Sequence, residues 1–244
     1  MEIDYTNIKV IGFDADDTLW VNETYFRDAE LEFSKLMAAY ETANKIDQEL
    51  FKRQIENLPL YGYGIKGFIL SMVEIALELS NNSIGNETIA AILNLGKAML
   101  NKPVELLDGV EEVLKTLSQD YRLIVVTKGD LLDQERKLEK SGLLKYFHHI
   151  EVVSDKQEAN YSNLLNHLDI KPSEFLMIGN SLKSDILPLI NIKAQAIHVP
   201  FHTTWIHEQV VPSKPEHQKF NTIHSLLEVL PILNKRLKTQ KNDL

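Results

Sequence analysis

Apolar residues follow two different rhythms along this chain. Residues 8–13 (Ile-Lys-Val-Ile-Gly-Phe) form a short, β-branched run followed at once by polar residues. That predicts a strand buried on both faces, as strands of parallel sheets are. The spacing then turns helical. Phe26, Ala29, Phe33, Leu36, Met37 and Tyr40 recur at steps of three and four and trace one face of a helix. Similar patterns cover residues 47–58, 66–79 and 87–100, with breakers at Asn57-Leu58-Pro59, Tyr61-Gly62-Tyr63-Gly64 and Ser80-Asn81-Asn82-Ser83. Helices in series with no strand between them predict a helical bundle. After Pro103 the rhythm alternates. Helical stretches at 109–117, 131–141, 161–168 and 186–190 are interleaved with apolar runs at 123–126, 150–153, 175–178 and 194–199. Alternation of this kind predicts a parallel sheet with right-handed crossovers, an α/β doubly wound architecture. The expected map is one body made of residues 1–20 and 103–244, with a helical insertion at 21–102.

Composition narrows this picture. At 44% hydrophobic and 25% charged, the chain is an ordinary globular one, which excludes disorder and fibrous repeats. It has no cysteine, so disulfides, zinc–thiolate sites, Fe–S clusters and a thiol nucleophile are all excluded. The balance of 26 Lys and Arg against 35 Asp and Glu argues against nucleic acid as a partner, since such binding depends on neutralising phosphates. A local site for a small anion remains compatible with it. The first residues carry acids and no apolar h-region, so no secretory signal is expected. No uncharged apolar run approaches the roughly 18 residues of a membrane span. The expectation is a soluble, cytoplasmic protein with no membrane partner.

In open parallel sheets, reactive residues sit just past the C-terminal ends of strands, and four such places carry chemistry here. Asp14-Ala15-Asp16-Asp17-Thr18 crowds carboxylates whose mutual repulsion calls for a divalent cation or a retained proton. An Asp/Thr turn that caps a helix accounts for the same residues. Thr127, Lys128 and Gly129 place a hydroxyl and a helix start where an anion can bind, or form an ordinary N-cap. Lys156 offers a point charge for phosphate or for the Asp cluster. Asn180 and Asp185, in Gly179-Asn180-Ser181-Leu182-Lys183-Ser184-Asp185, offer oxygens suited to a hard cation, or again a cap.

Together and in order, these four stretches resemble the motifs of the haloacid dehalogenase-like (HAD) hydrolase superfamily. The resemblance implies a Rossmann-like core and makes the insertion a helical-bundle cap. The long interval 19–126 against the short 128–155 is similar to the branch whose cap lies between motifs one and two, and such caps close over the site. It implies Asp14 as the nucleophile that forms an aspartyl-phosphate and Asp16 as the general acid and base. Thr127, with Lys128, Gly129 and Lys156, would bind the phosphoryl group. Mg2+ would be held by Asp14, Asp16 (through its carbonyl), Asn180 and Asp185. Asn180 departs from the family's usual Asp and removes one negative charge. The implied activity is a Mg2+-dependent phosphatase of a small phosphorylated metabolite. Asp16 disfavours a 2-haloacid dehalogenase, which needs no such acid. A phosphomutase shares the motifs, and a non-catalytic binding module is the remaining alternative. A phosphonatase would need a cap lysine, and nothing singles out Lys52 or Lys66.

Other segments carry weaker expectations. The Tyr61-Gly62-Tyr63-Gly64-Ile65-Lys66 segment is expected as a helix connection with buried tyrosine rings, the alternative being a loop that dips toward the active site. The stretch from Phe201 to His207 edges the pocket or packs the sheet end. His198, His202 and His207 lack metal spacing and are expected at the surface. The basic tail, Lys235, Arg236, Lys238 and Lys241, would complement a helix C-terminus.

Overall fold

A computed structural model describes residues 5–211 and 219–233; the basic tail lies outside the described residues. At its centre is β1 (Val10–Phe13), buried along its whole length. It pairs in parallel with β2 (Arg122–Lys128) on one side and β4 (Phe175–Gly179) on the other. Adding β3 (His149–Val153), β5 (Gln195–His198) and β6 (Asn221–Thr222), the sheet runs β3-β2-β1-β4-β5-β6. The first five strands match the apolar runs in the sequence. Strand β6 is two residues long and pairs only at Ile197 and His198 of β5, too short for a periodicity to show.

The continuous apolar runs divide by alternation between the two faces of the sheet. Ile11, Phe13, Leu123, Val125, Leu176 and Ile178 join a core with Val110, Val113, Leu114 and Leu117 of α5 (Val110–Leu117) and Leu138 of α6 (Leu131–Lys140). Val10, Ile124, Val126, Phe175 and Met177 join a second core with Tyr161, Leu164 and Leu165 of α7 (Glu158–His167) and Leu189 and Ile190 of α8 (Leu187–Asn191). Helices on both faces make this the doubly wound α/β fold that the alternation predicts.

The chain divides into two compact units: residues 1–21, 104–127 and 137–244, and residues 22–103 with 128–136. The second unit holds α1 (Glu23–Met37), α2 (Ala43–Tyr61), α3 (Ile65–Leu79) and α4 (Asn86–Asn101). It has its own core around Phe33, Met37, Ile46, Leu50, Met72, Ile75 and Ile92. Helix α2 runs through Pro59, which the sequence marks as a breaker. The proline falls in the last turn, where it forgoes one bond to the Ile55 carbonyl but little helix lies beyond it to be disrupted, and Gly62 closes the helix by donating to Leu58 O. The tyrosine rings near this end are not buried. Tyr61 is 42% exposed, and its hydroxyl donates to Glu74 Oε1 at 2.8 Å. Residues 128–136 enter this unit through Asp130, whose two carboxylate oxygens each accept from Lys66 Nζ at 2.9 Å. No helix among the described residues is long and apolar enough to cross a membrane.

Candidate active site

The C-terminal ends of β1, β2, β3 and β4 carry Asp14, Thr127, Lys156 and Asn180 respectively, all in the first unit. Asp14 is the residue after β1, and its N–H donates to Ile178 O, so the strand ladder itself fixes its backbone. The chain then turns sharply. The N–H groups of Thr18 and Leu19 return to Ala15 O, and Asp17 takes a left-handed conformation (φ 62°), which short polar side chains tolerate.

Lys156 lies at the centre of the charges. Its Nζ donates to Asp14 Oδ1 at 2.5 Å and to Asp185 Oδ1 at 2.7 Å, and the lysine is 1% exposed. Burial disfavours its ammonium, but Asp14 and Asp185 together outweigh that and hold Lys156 above the usual lysine range. Asp14 carries the opposite strain. Burial pushes its carboxyl up from 3.8 to about 7, with Asp185 adding to the rise and Lys156 opposing it. Two buried carboxylates share one buried cation, so the group is short of positive charge.

Asp185 is held on its other side as well, since Oδ2 accepts from Ser181 N at 2.9 Å. This close approach needs Gly179, because a Cβ there would fall 2.4 Å from Asp185 Cγ. Thr18 Oγ1 lies 3.2 Å from Asp14 Oδ2 and 3.4 Å from Asn180 Oδ1, and its single proton cannot serve both oxygens at once. Hard oxygens turned toward each other with too few donors fit a hard divalent cation.

Asp16 occupies a different environment. Trp20 Nε1 and Lys137 Nζ each donate to its Oδ1 at 2.7 Å. Among the described residues no three His, Cys, Asp or Glu side chains gather as a metal cluster. A cation here would therefore rely on backbone and amide oxygens beside Asp14. Thr127 is 1% exposed near the end of β2. Lys128 and Gly129 belong to the second unit, where the Lys128 ammonium lies 4.1 Å from the centre of the Tyr63 ring and Gly129 has a φ of 127°.

Two expectations about histidine are corrected. His198 Nε2 donates to Asn180 O at 3.0 Å, and His207 Nε2 lies 3.1 Å from Lys183 Nζ, so both hold the loop after β4 and are not free surface groups. His202 is exposed, beside Thr203. The sequence reading gives no separate role to Thr18, Trp20 or Lys137. Trp20 and Lys137 carry no pattern that would single them out, and only the fold brings them to Asp16.

A family model described as haloacid dehalogenase-like hydrolase matches residues 8–192. The chain is 35% identical to a haloacid dehalogenase-like family hydrolase from Xanthomonas campestris, with a TM-score of 0.82 over 97% of this chain and 94% of that one. It is 25% identical over 240 residues to the Homo sapiens N-acylneuraminate-9-phosphatase, covering 93% of this chain and 94% of the relative. A 2-haloacid dehalogenase from Pseudomonas syringae shares the fold, with 20% identity and a TM-score of 0.62 over 93% of this chain and 98% of that one.

Proposed function

The chain belongs to the haloacid dehalogenase-like hydrolases, and we propose that it is a Mg2+-dependent phosphatase of a small phosphorylated metabolite, working through an aspartyl-phosphate on Asp14. The observation that carries this reading is the separation of two carboxylates into unlike environments. Asp14 is buried against Lys156, while Asp16 is held apart by Trp20 and Lys137. Such a pair divides nucleophile from acid–base.

In the proposed reaction an Asp14 oxygen attacks phosphorus and the ester P–O bond breaks. Asp16 gives its proton to the departing alkoxide. Asp16 then takes a proton from the water that attacks the acyl phosphate, which releases inorganic phosphate and restores Asp14. Lys156 offsets the charge of nucleophile and phosphoryl oxygens, and Thr127 hydrogen-bonds a phosphoryl oxygen. Mg2+ would be held by Asp14, the Asp16 carbonyl, Asn180 and Asp185, and it supplies neutralisation of charge on the transferring group. Asp185 already accepts from Lys156 and Ser181, as Asp14 accepts from Lys156 and Thr18. The likeness to a dehalogenase is one of fold, and Asp16 is the feature that separates the two chemistries.

The relative's name makes N-acylneuraminate 9-phosphate the first substrate to try. A panel of sugar phosphates and other small phosphomonoesters, assayed with Mg2+ and with chelator, should show phosphate release that Mg2+ supports. Asp14→Asn should abolish it and Asp16→Asn should lower kcat roughly a hundred- to ten-thousand-fold. Release that persists in Asp14→Asn would sink the mechanism. Chloride release from 2-chloropropionate without metal would favour the dehalogenase, and phosphate moved within the substrate without release would favour a mutase.

A further inference from the structure

The loop after β4 carries Asn180 at its start and Asp185 at its end. Between them Ser181 caps one turn of π-helix (Leu182–Ile186), its hydroxyl accepting from Ser184 N at 3.1 Å. Single π turns are rare and frequently lie at functional sites. This one is gripped from two directions. Tyr161 of α7 donates its buried hydroxyl to Ser184 O at 3.0 Å. On the other side the chain that leaves β5 comes back over the turn. Glu208 Oε2 accepts from Ser181 Oγ at 2.5 Å and from Ser184 Oγ at 2.6 Å, while Lys183 Nζ donates to His207 O at 2.8 Å.

A carboxylate on two hydroxyls makes charge-assisted hydrogen bonds, the short and strong kind. Both hydroxyls sit on the few residues that join the two oxygen donors of the loop. Ser181 also presents its N–H to Asp185 Oδ2, so a shift of Ser181 moves Asp185, and with it Lys156. The stretch from Phe201 onward thus has a specific task that neither pocket edging nor sheet-end packing describes.

We propose that Glu208 is a positioning residue of this centre: by accepting from Ser181 and Ser184 it clamps the turn between Asn180 and Asp185 and so fixes the oxygens that this loop offers to Mg2+. The inference rests on the phosphatase reading above. Groups that hold a ligand without touching the metal commonly contribute ten- to a hundred-fold in metal affinity. Asn180, a neutral donor in place of a carboxylate, makes the site more dependent on fixed geometry.

The test is calorimetric titration of the metal-free full chain with MgCl2, together with hydrolysis of p-nitrophenyl phosphate across Mg2+ concentrations. Glu208→Ala should weaken Mg2+ binding about tenfold and raise the Mg2+ half-saturation to match, with KM for p-nitrophenyl phosphate at saturating Mg2+ within about twofold of wild type. Glu208→Gln, whose amide oxygen still accepts from both serines, should recover most of the affinity. Should Glu208→Ala not fold, Ser184→Ala removes one of the two donors and leaves the Ser181 cap, and it should weaken Mg2+ binding by a smaller factor, about two- to fivefold. Wild-type affinity in the folded Glu208→Ala variant, or in Ser184→Ala, overturns the inference, as does a Gln variant no tighter than Ala. A wild-type chain that binds no Mg2+ overturns this inference and the phosphatase reading together. One that binds Mg2+ while Glu208→Ala binds it equally overturns this inference alone.

Discussion

Asp14 gives up stability to be in position. Its ionised form is penalised by burial and by Asp185 more than Lys156 relieves, so its carboxyl rises from 3.8 to about 7. A carboxyl raised in the folded state binds protons there more tightly than in the unfolded chain. Stability therefore falls as pH climbs from about 4 to about 7 and stays lowered above that. Asp14→Asn removes the ionisation. In chelator the variant should melt above wild type at pH 8, and the gap should shrink as pH falls toward 4. Thermal melts at several pH values measure it, and a gap that ignores pH would contradict the account. Asn180 is the complementary case, a neutral oxygen next to the same hydroxyl as Asp14. Restoring a carboxylate with Asn180→Asp should tighten Mg2+ several-fold, since donor charge sets much of a hard cation's affinity. Unchanged affinity in a titration would count against a metal role for this position.

At the scale of elements, a glycine at a strand end sets the geometry of the loop that follows. Gly179 closes β4, and Asp185 folds back over it to reach Lys156. Gly179→Ala should cost about 1–3 kcal/mol in denaturant unfolding, because the added methyl meets Asp185 in a closely packed place. It should also lower activity more than an exposed substitution of equal cost. The strands and their order of chemistry were legible in the sequence because buried parallel strands read as unbroken apolar runs, and the polar residues that end each run are where Asp14, Thr127, Lys156 and Asn180 stand. What was not legible depends on pairing across distance. Lys137 is one lysine on a helix, Glu208 one acid in an irregular stretch, and their partners Asp16 and Ser181 lie far off in sequence. The π turn at 182–186 and the run of α2 through Pro59 were hidden too, since tertiary contacts and position within the helix override local propensity there.

At the scale of the molecule, the two units have separate cores. The core of the second unit is drawn from a single continuous stretch of sequence. Phe33 is fully buried within it, and Phe33→Ala should cost about 3–5 kcal/mol. Hydrogen exchange should show the loss concentrated in α1 to α4, with β1, β2 and β4 still protected, because opening proceeds in cooperative units. Exchange that rose equally in the sheet would argue against separate cores. The sheet has the contrary property, for an inner strand is made first and both its neighbours only after the helical stretch. β1 is complete at Phe13, yet the strands on its two sides begin at Arg122 and Phe175. On a ribosome that adds residues from the N-terminus, the helical stretch has left the exit tunnel while β1 still has no strand to pair with. A chain stalled before Phe175 has Asp14 and Lys156 but lacks Asp185, the other carboxylate on that lysine. The charge cluster around Lys156 is thus completed only when most of the chain has been made.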